Sequence, residues 1–151
     1  NLTPLAFALV FSAIQFVNAQ CVLPDESNFI TSQETLNSLE GCEVFQGDLN
    51  ITGSDISNLD ALSSLVSIEG NLSVYETAIN SIDPLDGLMN ADEISIYNNE
   101  DLSACCASVD WQTALDLGAI SSIKFGSNST NCNSYSEAQA ACLETVPVVL
   151  T

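Results

Sequence analysis

The sequence predicts a mainly β fold, a β-helix solenoid of about four coils with a short helical cap at each end. The first observation is a repeat whose copies start at Leu36, Leu59 and Ile82, each 23 positions after the one before. The second is an alternating apolar pair behind each copy, and the third is a set of six cysteines suited to fastening the ends. A unit of roughly 20–50 residues with apolar positions in register is typical of stacked coils, because one coil cannot bury its apolar edge alone.

Within each copy of the repeat, apolar residues recur at intervals of three. The second copy shows this most clearly, at Ile56, Leu59, Leu62, Leu65 and Ile68. In an α-helix a step of three residues falls about 60° short of a full turn, so these side chains would spread around most of the helix. The spacing therefore predicts 3₁₀ turns and bends with one inward edge.

An alternating apolar pair follows each copy and predicts a short strand with one buried face. The pairs are Leu49 and Ile51, Leu72 and Val74, Ile94 and Ile96, with Ile123 and Phe125 as a fourth. Stacked in register, they would form a parallel sheet along one side of the solenoid. Gly47 and Gly70 precede the first two pairs and predict sharp corners. The third copy lacks this glycine and is one residue shorter, which predicts an altered corner.

Helical caps are predicted at both ends, where the solenoid would otherwise expose its apolar core. A short helix begins near Ser32, and an alanine-rich helix over 135–143 is started by Ser134 or Ser136. The insertion 105–120 predicts a further short helix. Its apolar residues are Val109, Trp111, Leu115 and Leu117.

Disulfides are the expected use of the cysteines, which are Cys21, Cys42, Cys105, Cys106, Cys132 and Cys142. Cys21 is predicted to pair with Cys42 and to fasten the N-terminal cap to the first strand. The other four form two further bonds, with Cys105 and Cys106 reaching different partners because adjacent cysteines do not easily bond each other. An even count suits an oxidising, extracellular setting. The absence of His and of any Cys-x2-Cys pair argues against zinc, and no cofactor is expected.

The ends of the chain predict segments outside the folded domain. Residues 5–17 are almost wholly apolar and are followed by small residues before Gln20. This run is too short to span a bilayer comfortably, so residues 1–19 are interpreted as a truncated signal peptide, with a buried helix as the alternative. Residues 20–142 form the expected domain, and 143–151 a linker into further sequence.

The charge balance excludes two classes of partner. The chain has 20 acidic residues against one basic residue, Lys124, and a net charge of −19. Such a surface repels nucleic acid and anionic membranes, so neither nucleic-acid binding nor direct membrane binding by the solenoid is expected. The acidity either attracts cationic ligands or serves solubility in a salty medium.

Several motifs resemble a known family, the receptor L-domain, a module of the extracellular parts of growth-factor receptors. The positions that match its opening signature are Cys42, Gly47, Leu49 and Ile51. Residues 29–36 resemble the corresponding entry in fungal GPI-anchored cell-wall proteins, and segments 98–105 and 132–142 are similar to secreted proteins of marine Bacteroidetes. The resemblance covers residues 21–142 and implies a right-handed, leucine-rich-repeat-like β-helix with a role in extracellular recognition. It brings no catalytic residues with it.

Polar and aromatic side chains between the buried strand residues form the candidate ligand-binding surface. They are Asn50, Thr52, Ser73, Tyr75, Ser95, Tyr97 and Lys124, with Asp48, Asn71 and Glu93 at the start of the same strands. Two stacked tyrosines beside amides and hydroxyls suit a sugar or a peptide, because tyrosine offers an apolar face with a polar tip. Tyr, Thr and Ser are also ordinary occupants of exposed strand positions. Sequons at Asn50, Asn71 and Asn128 would accept glycans in a eukaryotic host, and glycans on the first two would cover this surface.

A catalytic role is not expected. The chain has no His and no Arg to shuttle a proton or to stabilise a developing negative charge. Carboxylate pairs such as Asp83 with Asp86, or Asp92 with Glu93, are nevertheless available as acid and base. We expect a secreted or cell-surface recognition module that binds an extracellular protein, peptide or glycan. The alternative is a structural spacer of the cell surface or cell wall without a specific ligand.

Overall fold

Parallel strands in two sheets form the framework of the part of the chain that the computed structural model describes, residues 19–23, 27–106 and 109–144. The strands are β1 Gln20–Cys21, β2 Phe29–Ile30, β3 Val44–Phe45, β4 Leu49–Gly53, β5 Ser67–Ile68, β6 Leu72–Thr77, β7 Ala91–Tyr97 and β8 Ile120–Gly126. Their orders are β1-β3-β5 and β2-β4-β6-β7-β8, and all neighbours are parallel. The predicted signal peptide, apart from residue 19, and residues 145–151 of the predicted linker lie outside the described residues.

The larger sheet contains the predicted parallel rungs in the predicted register. Leu49, Leu72, Ile94 and Ile123 share one inward position across β4, β6, β7 and β8, and Ile51, Val74, Ile96 and Phe125 share the next. The members from the first three strands are all 0% exposed. Ile123 and Phe125 are half-buried, because β8 is the last strand of the sheet. Full burial of such side chains stabilises the fold by about 1.5–3 kcal/mol each.

The residues spaced by three form a second buried edge, as the spacing predicts. Short 3₁₀ helices lie at Asp60–Leu62 and Asp83–Leu85, between the strands of successive repeats. The apolar residues around the first of them are at most 1% exposed: Ile56, Leu59, Leu62, Leu65 and Ile68. This edge and the rungs of the larger sheet contribute to one hydrophobic core.

The two predicted glycine corners have different physical causes. Gly47 has a φ of +90°, a left-handed conformation that favours glycine. A Cβ at Gly70 would overlap Asp48 and lie 2.9 Å from the carbonyl carbon of Gly47, so the close approach of two backbones requires glycine there. The third repeat, which lacks this glycine, has no break between its strand segments. Instead β7 runs unbroken over Ala91–Tyr97.

Helices lie at the positions where caps were predicted, α1 at Gln33–Asn37 and α3 at Tyr135–Glu144. The Ser32 hydroxyl accepts a hydrogen bond from the Thr35 N–H at 3.2 Å and so caps α1. The Ser134 hydroxyl accepts one from the Glu137 N–H at 3.2 Å, which identifies Ser134 as the start of α3. This helix extends to Glu144, past the expected end of the domain at residue 142.

The insertion forms the predicted helix, α2 at Val109–Asp116, with one correction. Trp111 is 1% exposed and anchors the helix to the core. Leu117, expected on the apolar face of this helix, lies beyond its last residue and is 77% exposed. The helix ends before Gly118, whose φ of +74° turns the chain toward β8.

Three disulfides join the six cysteines, and the prediction for Cys21 and Cys42 is confirmed. The bonds are Cys21–Cys42, Cys105–Cys132 and Cys106–Cys142, with Cα–Cα distances of 5.9, 5.9 and 4.7 Å. Adjacent Cys105 and Cys106 reach different partners, as expected. Cys105–Cys132 is fully buried, whereas Cys106–Cys142 is half-buried and ties α3 to the insertion.

Candidate functional site

The outward side chains of the larger sheet form a surface that we call the strand face. Strand register arranges the seven predicted residues in two rows: Asn50, Ser73, Ser95 and Lys124 in the first, and Thr52, Tyr75 and Tyr97 in the second. Phe29 of β2 pairs with Asn50, which extends the first row by an aromatic side chain that is 49% exposed. Sequence reasoning missed Phe29, because a two-residue strand carries no alternating pattern.

Tyr75 and Tyr97 form a parallel ring stack on the strand face. Their ring centroids lie 5.1 Å apart, and the ring planes differ by only 2°. Such a stack contributes about 0.5–1.5 kcal/mol beyond the area it buries, and it holds both rings in one orientation. Burial is the main cause of a raised pKa at the Tyr97 hydroxyl, and the nearby Tyr75 and Glu76 side chains raise it further. Tyr97 is therefore a neutral phenol, and it is 37% exposed.

The row of the tyrosines ends at an open position. Gly126 of β8 pairs with Tyr97, so it occupies the place where the next side chain of the stack would stand. Apart from Gly126 and its two chain neighbours, no heavy atom of the described residues lies within 4 Å of a Cβ built at Gly126. Adjacent strands are about 4.8 Å apart, which is close to the spacing of stacked planar groups. The ring of Tyr97 therefore borders a strand position that carries no side chain.

Glu93 joins the neighbouring strands β7 and β8 by hydrogen bonds at the end of the strand face away from the tyrosines. Its Oε1 accepts a hydrogen bond from Ser95 Oγ at 2.8 Å, and its Oε2 accepts bonds from Ser122 Oγ at 2.9 Å and Lys124 Nζ at 2.6 Å. The bond from Lys124, with those from the two serines, lowers the pKa of the Glu93 carboxyl to about 2. Ser95 is buried and Lys124 is paired, so these two predicted residues stabilise the surface and leave its tyrosine end as the more available part.

A polar groove of about 520 Å³ lies beyond the tyrosines, where β6, β7 and β8 end. We call it the acidic groove, and it is lined by Ser54, Glu76, Thr77, Ala78, Asn98, Glu100, Asp101 and Ser127. Glu76, Asn98 and Ser127 follow the tyrosine row on three adjacent strands and have φ values of 53°, 56° and 52°. These left-handed residues turn the chain at the same level in successive repeats. Sequence patterns did not reveal the groove, because none of the three is a glycine.

A ladder of polar side chains, the buried Thr77 and Asn99 and the half-buried Asn128, supports the groove and the strand ends. Asn99 is 0% exposed, and its Oδ1 accepts hydrogen bonds from Thr77 N at 3.2 Å and Thr77 Oγ1 at 2.7 Å. Its Nδ2 donates to the carbonyl oxygens of Val74 and Tyr97 and to Asn128 Oδ1. Each ladder residue stands two positions after a member of the row Tyr75, Tyr97 and Gly126. This constant offset was the sequence signal that could have identified the ladder.

The three sequons lie in different environments. Asn71 is exposed, whereas Nδ2 of Asn50 donates a hydrogen bond to the Asn28 carbonyl oxygen at 3.1 Å. Nδ2 of Asn128 donates to the carbonyl oxygens of Ile96 at 2.9 Å and Cys132 at 2.8 Å. Both hydrogens of the Asn128 amide are thus used inside the fold, which leaves none for a glycan bond in the folded protein.

The carboxylate pairs considered as acid and base, Asp83 with Asp86 and Asp92 with Glu93, do not form one catalytic arrangement on the strand face. Burial, with the charges of Asp83 and Asp110, raises the pKa of Asp86. Glu93 is held as an anion by its partners, and the neighbouring Asp92 is exposed. Among the described side chains, no group of three or more His, Cys, Asp or Glu is placed to hold a metal ion. Nor does any helix in the described ranges have the length and apolar character needed to cross a bilayer.

Comparison with known proteins identifies the family. Residues 41–141 match the model of the Receptor L domain family, a stretch that runs from just before Cys42 into α3. No curated protein and no solved structure matches the chain. Receptor L domains are extracellular, non-catalytic modules that bind ligands in receptors. Parallel sheets, three disulfides and a register that begins at the predicted signature fit that description, and the chain belongs to the receptor L domain family.

Proposed function

We propose that this protein is a secreted or cell-surface recognition module whose strand face binds an extracellular protein, peptide or glycan. The observation that carries the proposal is the Tyr75–Tyr97 stack, which ends at the open position above Gly126. A stacked and partly exposed aromatic ring provides apolar contact area at little cost in side-chain entropy. The family supports a recognition role, and the ligand class is part of the proposal.

The proposed architecture behind this surface is a right-handed solenoid of about four coils, closed by α1 and α3. It is supported by parallel pairing in every ladder, which requires a crossover between partner strands. Nearly all crossovers of this kind are right-handed. In such a solenoid, residues at equivalent positions form straight rows, so the tyrosines are aligned by the backbone repeat itself.

Glycan and peptide arrays probed with the full 151-residue chain test the proposed function. The variant Tyr75→Ala/Tyr97→Ala removes the stack, and Val66→Ala/Leu117→Ala removes comparable exposed apolar area away from the strand face. We expect ligands that bind the unmodified chain to be lost by the tyrosine variant and retained by the control. A ligand retained by both variants would place recognition elsewhere. The absence of any ligand would favour the structural spacer.

A further inference from the structure

The acidic groove beside Tyr97 has no counter-charge among the described residues. Glu76, Glu100 and Asp101 are exposed and line the groove. The only basic side chain of the sequence, Lys124, lies in the other row of the strand face and is paired with Glu93. The three groove carboxylates therefore act together on any ligand that enters, and their field favours a cation.

The open position at Gly126 specifies the shape of the group that fits beside Tyr97. It continues a stack of two parallel rings, so the favoured occupant is flat and lies parallel to them. The Glu76 carboxylate is close enough to Tyr97 to contribute to the raised pKa of its hydroxyl. The aromatic surface and the anionic groove are thus neighbouring parts of one surface.

We propose that the strand face recognises an arginine side chain of a cationic extracellular peptide segment, stacked on Tyr97 above Gly126 and paired with carboxylates of the acidic groove. This inference rests on the proposed function and specifies its ligand. The arginine guanidinium is planar, remains charged, stacks on aromatic rings and donates to carboxylates in pairs, whereas lysine offers a compact point charge. A neutral sugar would satisfy the ring and leave the groove without a counter-charge.

Three matched peptides separate charge from shape. Each is a fluorescein-labelled octapeptide of glycine and serine with blocked ends, carrying two arginines, two lysines or two citrullines. Citrulline keeps the planar shape of arginine and lacks its charge. With the full chain at about 0.15 M salt, where surface charges act over about 8 Å, we expect the arginine peptide to bind about tenfold tighter than the citrulline peptide. The lysine peptide is expected to lie between them.

Matched variants locate the site. Glu76→Gln/Glu100→Gln/Asp101→Asn removes the groove charge, and we expect it to weaken binding of the arginine peptide about tenfold. The control variant makes the same change in net charge at exposed carboxylates outside the groove, Glu34→Gln/Glu40→Gln/Glu69→Gln. It is expected to change binding less than about twofold, since distant exposed charges are screened. Gly126→Leu fills the open position without changing charge and is expected to weaken binding by a similar factor of about ten.

Several outcomes would overturn this inference. They are equal affinities for the arginine and citrulline peptides, equal weakening by the groove and control variants, or no binding of the arginine peptide up to about 1 mM, the limit of a weak complex. A glycan or neutral ligand that depends on Tyr75 and Tyr97 would reject arginine as the ligand and leave the proposed function intact. Fluorescence of the buried Trp111 verifies that each variant is folded, so a loss of binding cannot be confused with unfolding.

Discussion

Replacing Asn99 with alanine should remove a large share of the stability of the fold. The Asn99 side chain has five hydrogen-bond partners, Thr77 N, Thr77 Oγ1, the carbonyl oxygens of Val74 and Tyr97, and Asn128 Oδ1, and the last three share the two hydrogens of Nδ2. Because the site is fully buried, the partners left behind lose their bonds without gaining bulk water. Each such group contributes about 1–3 kcal/mol, and part of this is recovered by relaxation. We expect Asn99→Ala to lower the free energy of unfolding by about 3–5 kcal/mol.

Urea unfolding with the disulfides intact measures this change. The sequence has a single tryptophan, Trp111, which is 1% exposed and reports unfolding by its fluorescence. The control is Asn80→Ala, since Asn80 is exposed, and we expect it to change stability by less than about 0.5 kcal/mol. A loss below about 1 kcal/mol for Asn99→Ala would refute the reasoning that the buried ladder holds the strand ends together.

Three other perturbations follow from single sites. The pKa of Glu93 is lowered in the folded protein, so the stability that Glu93 contributes is present above pH 4.5 and is lost as pH falls toward 2. Glu93→Gln should therefore flatten part of the dependence of the free energy of unfolding on pH in this range, by about 1 kcal/mol or less because the pair is partly exposed. Gly70→Ala should lower the free energy of unfolding in urea by about 2 kcal/mol, because the new Cβ would meet the backbone of Gly47 and the side chain of Asp48. Gly126→Ala, which places its Cβ in open space, should leave that free energy unchanged. Equal effects of the two substitutions would contradict the close approach at the Gly70 corner. Under mild reduction, alkylation and mass spectrometry should find Cys106 and Cys142 labelled before the cysteines of the buried disulfide, and the opposite order would show that α3 shields its bond.

The parallel rungs could be predicted from sequence because their signal is local and periodic. Leu72 and Val74 alternate with polar residues, and the same pattern returns at Ile94 and Ile96. The register then follows, since a slip by one residue would turn every apolar side chain to solvent. The tyrosine pair could be predicted for the same reason, because Tyr75 and Tyr97 stand at equivalent positions of adjacent strands.

The groove and the polar ladder depend on contacts that no local pattern encodes. Glu76 adopts a left-handed conformation that a sequence reading would reserve for glycine or asparagine. From the local sequence, Asn128 was interpreted as a glycosylation sequon. Its structural role depends on hydrogen bonds with Asn99, which is distant in sequence and adjacent in space. Leu117 was placed on a helix by its apolar character, although Gly118 ends that helix earlier. In each case tertiary contacts or backbone geometry outweighed residue type.

Site-specific photo-crosslinking tests most directly the central claim that the strand face is the recognition surface. A benzophenone amino acid replaces Ser73, which lies in the middle of the strand face, or Asp60, an exposed residue of the 3₁₀ edge. Each 151-residue variant is irradiated with a ligand selected on the arrays. Crosslinking from position 73 and not from position 60 is the predicted result. Crosslinking from position 60 alone would contradict the account.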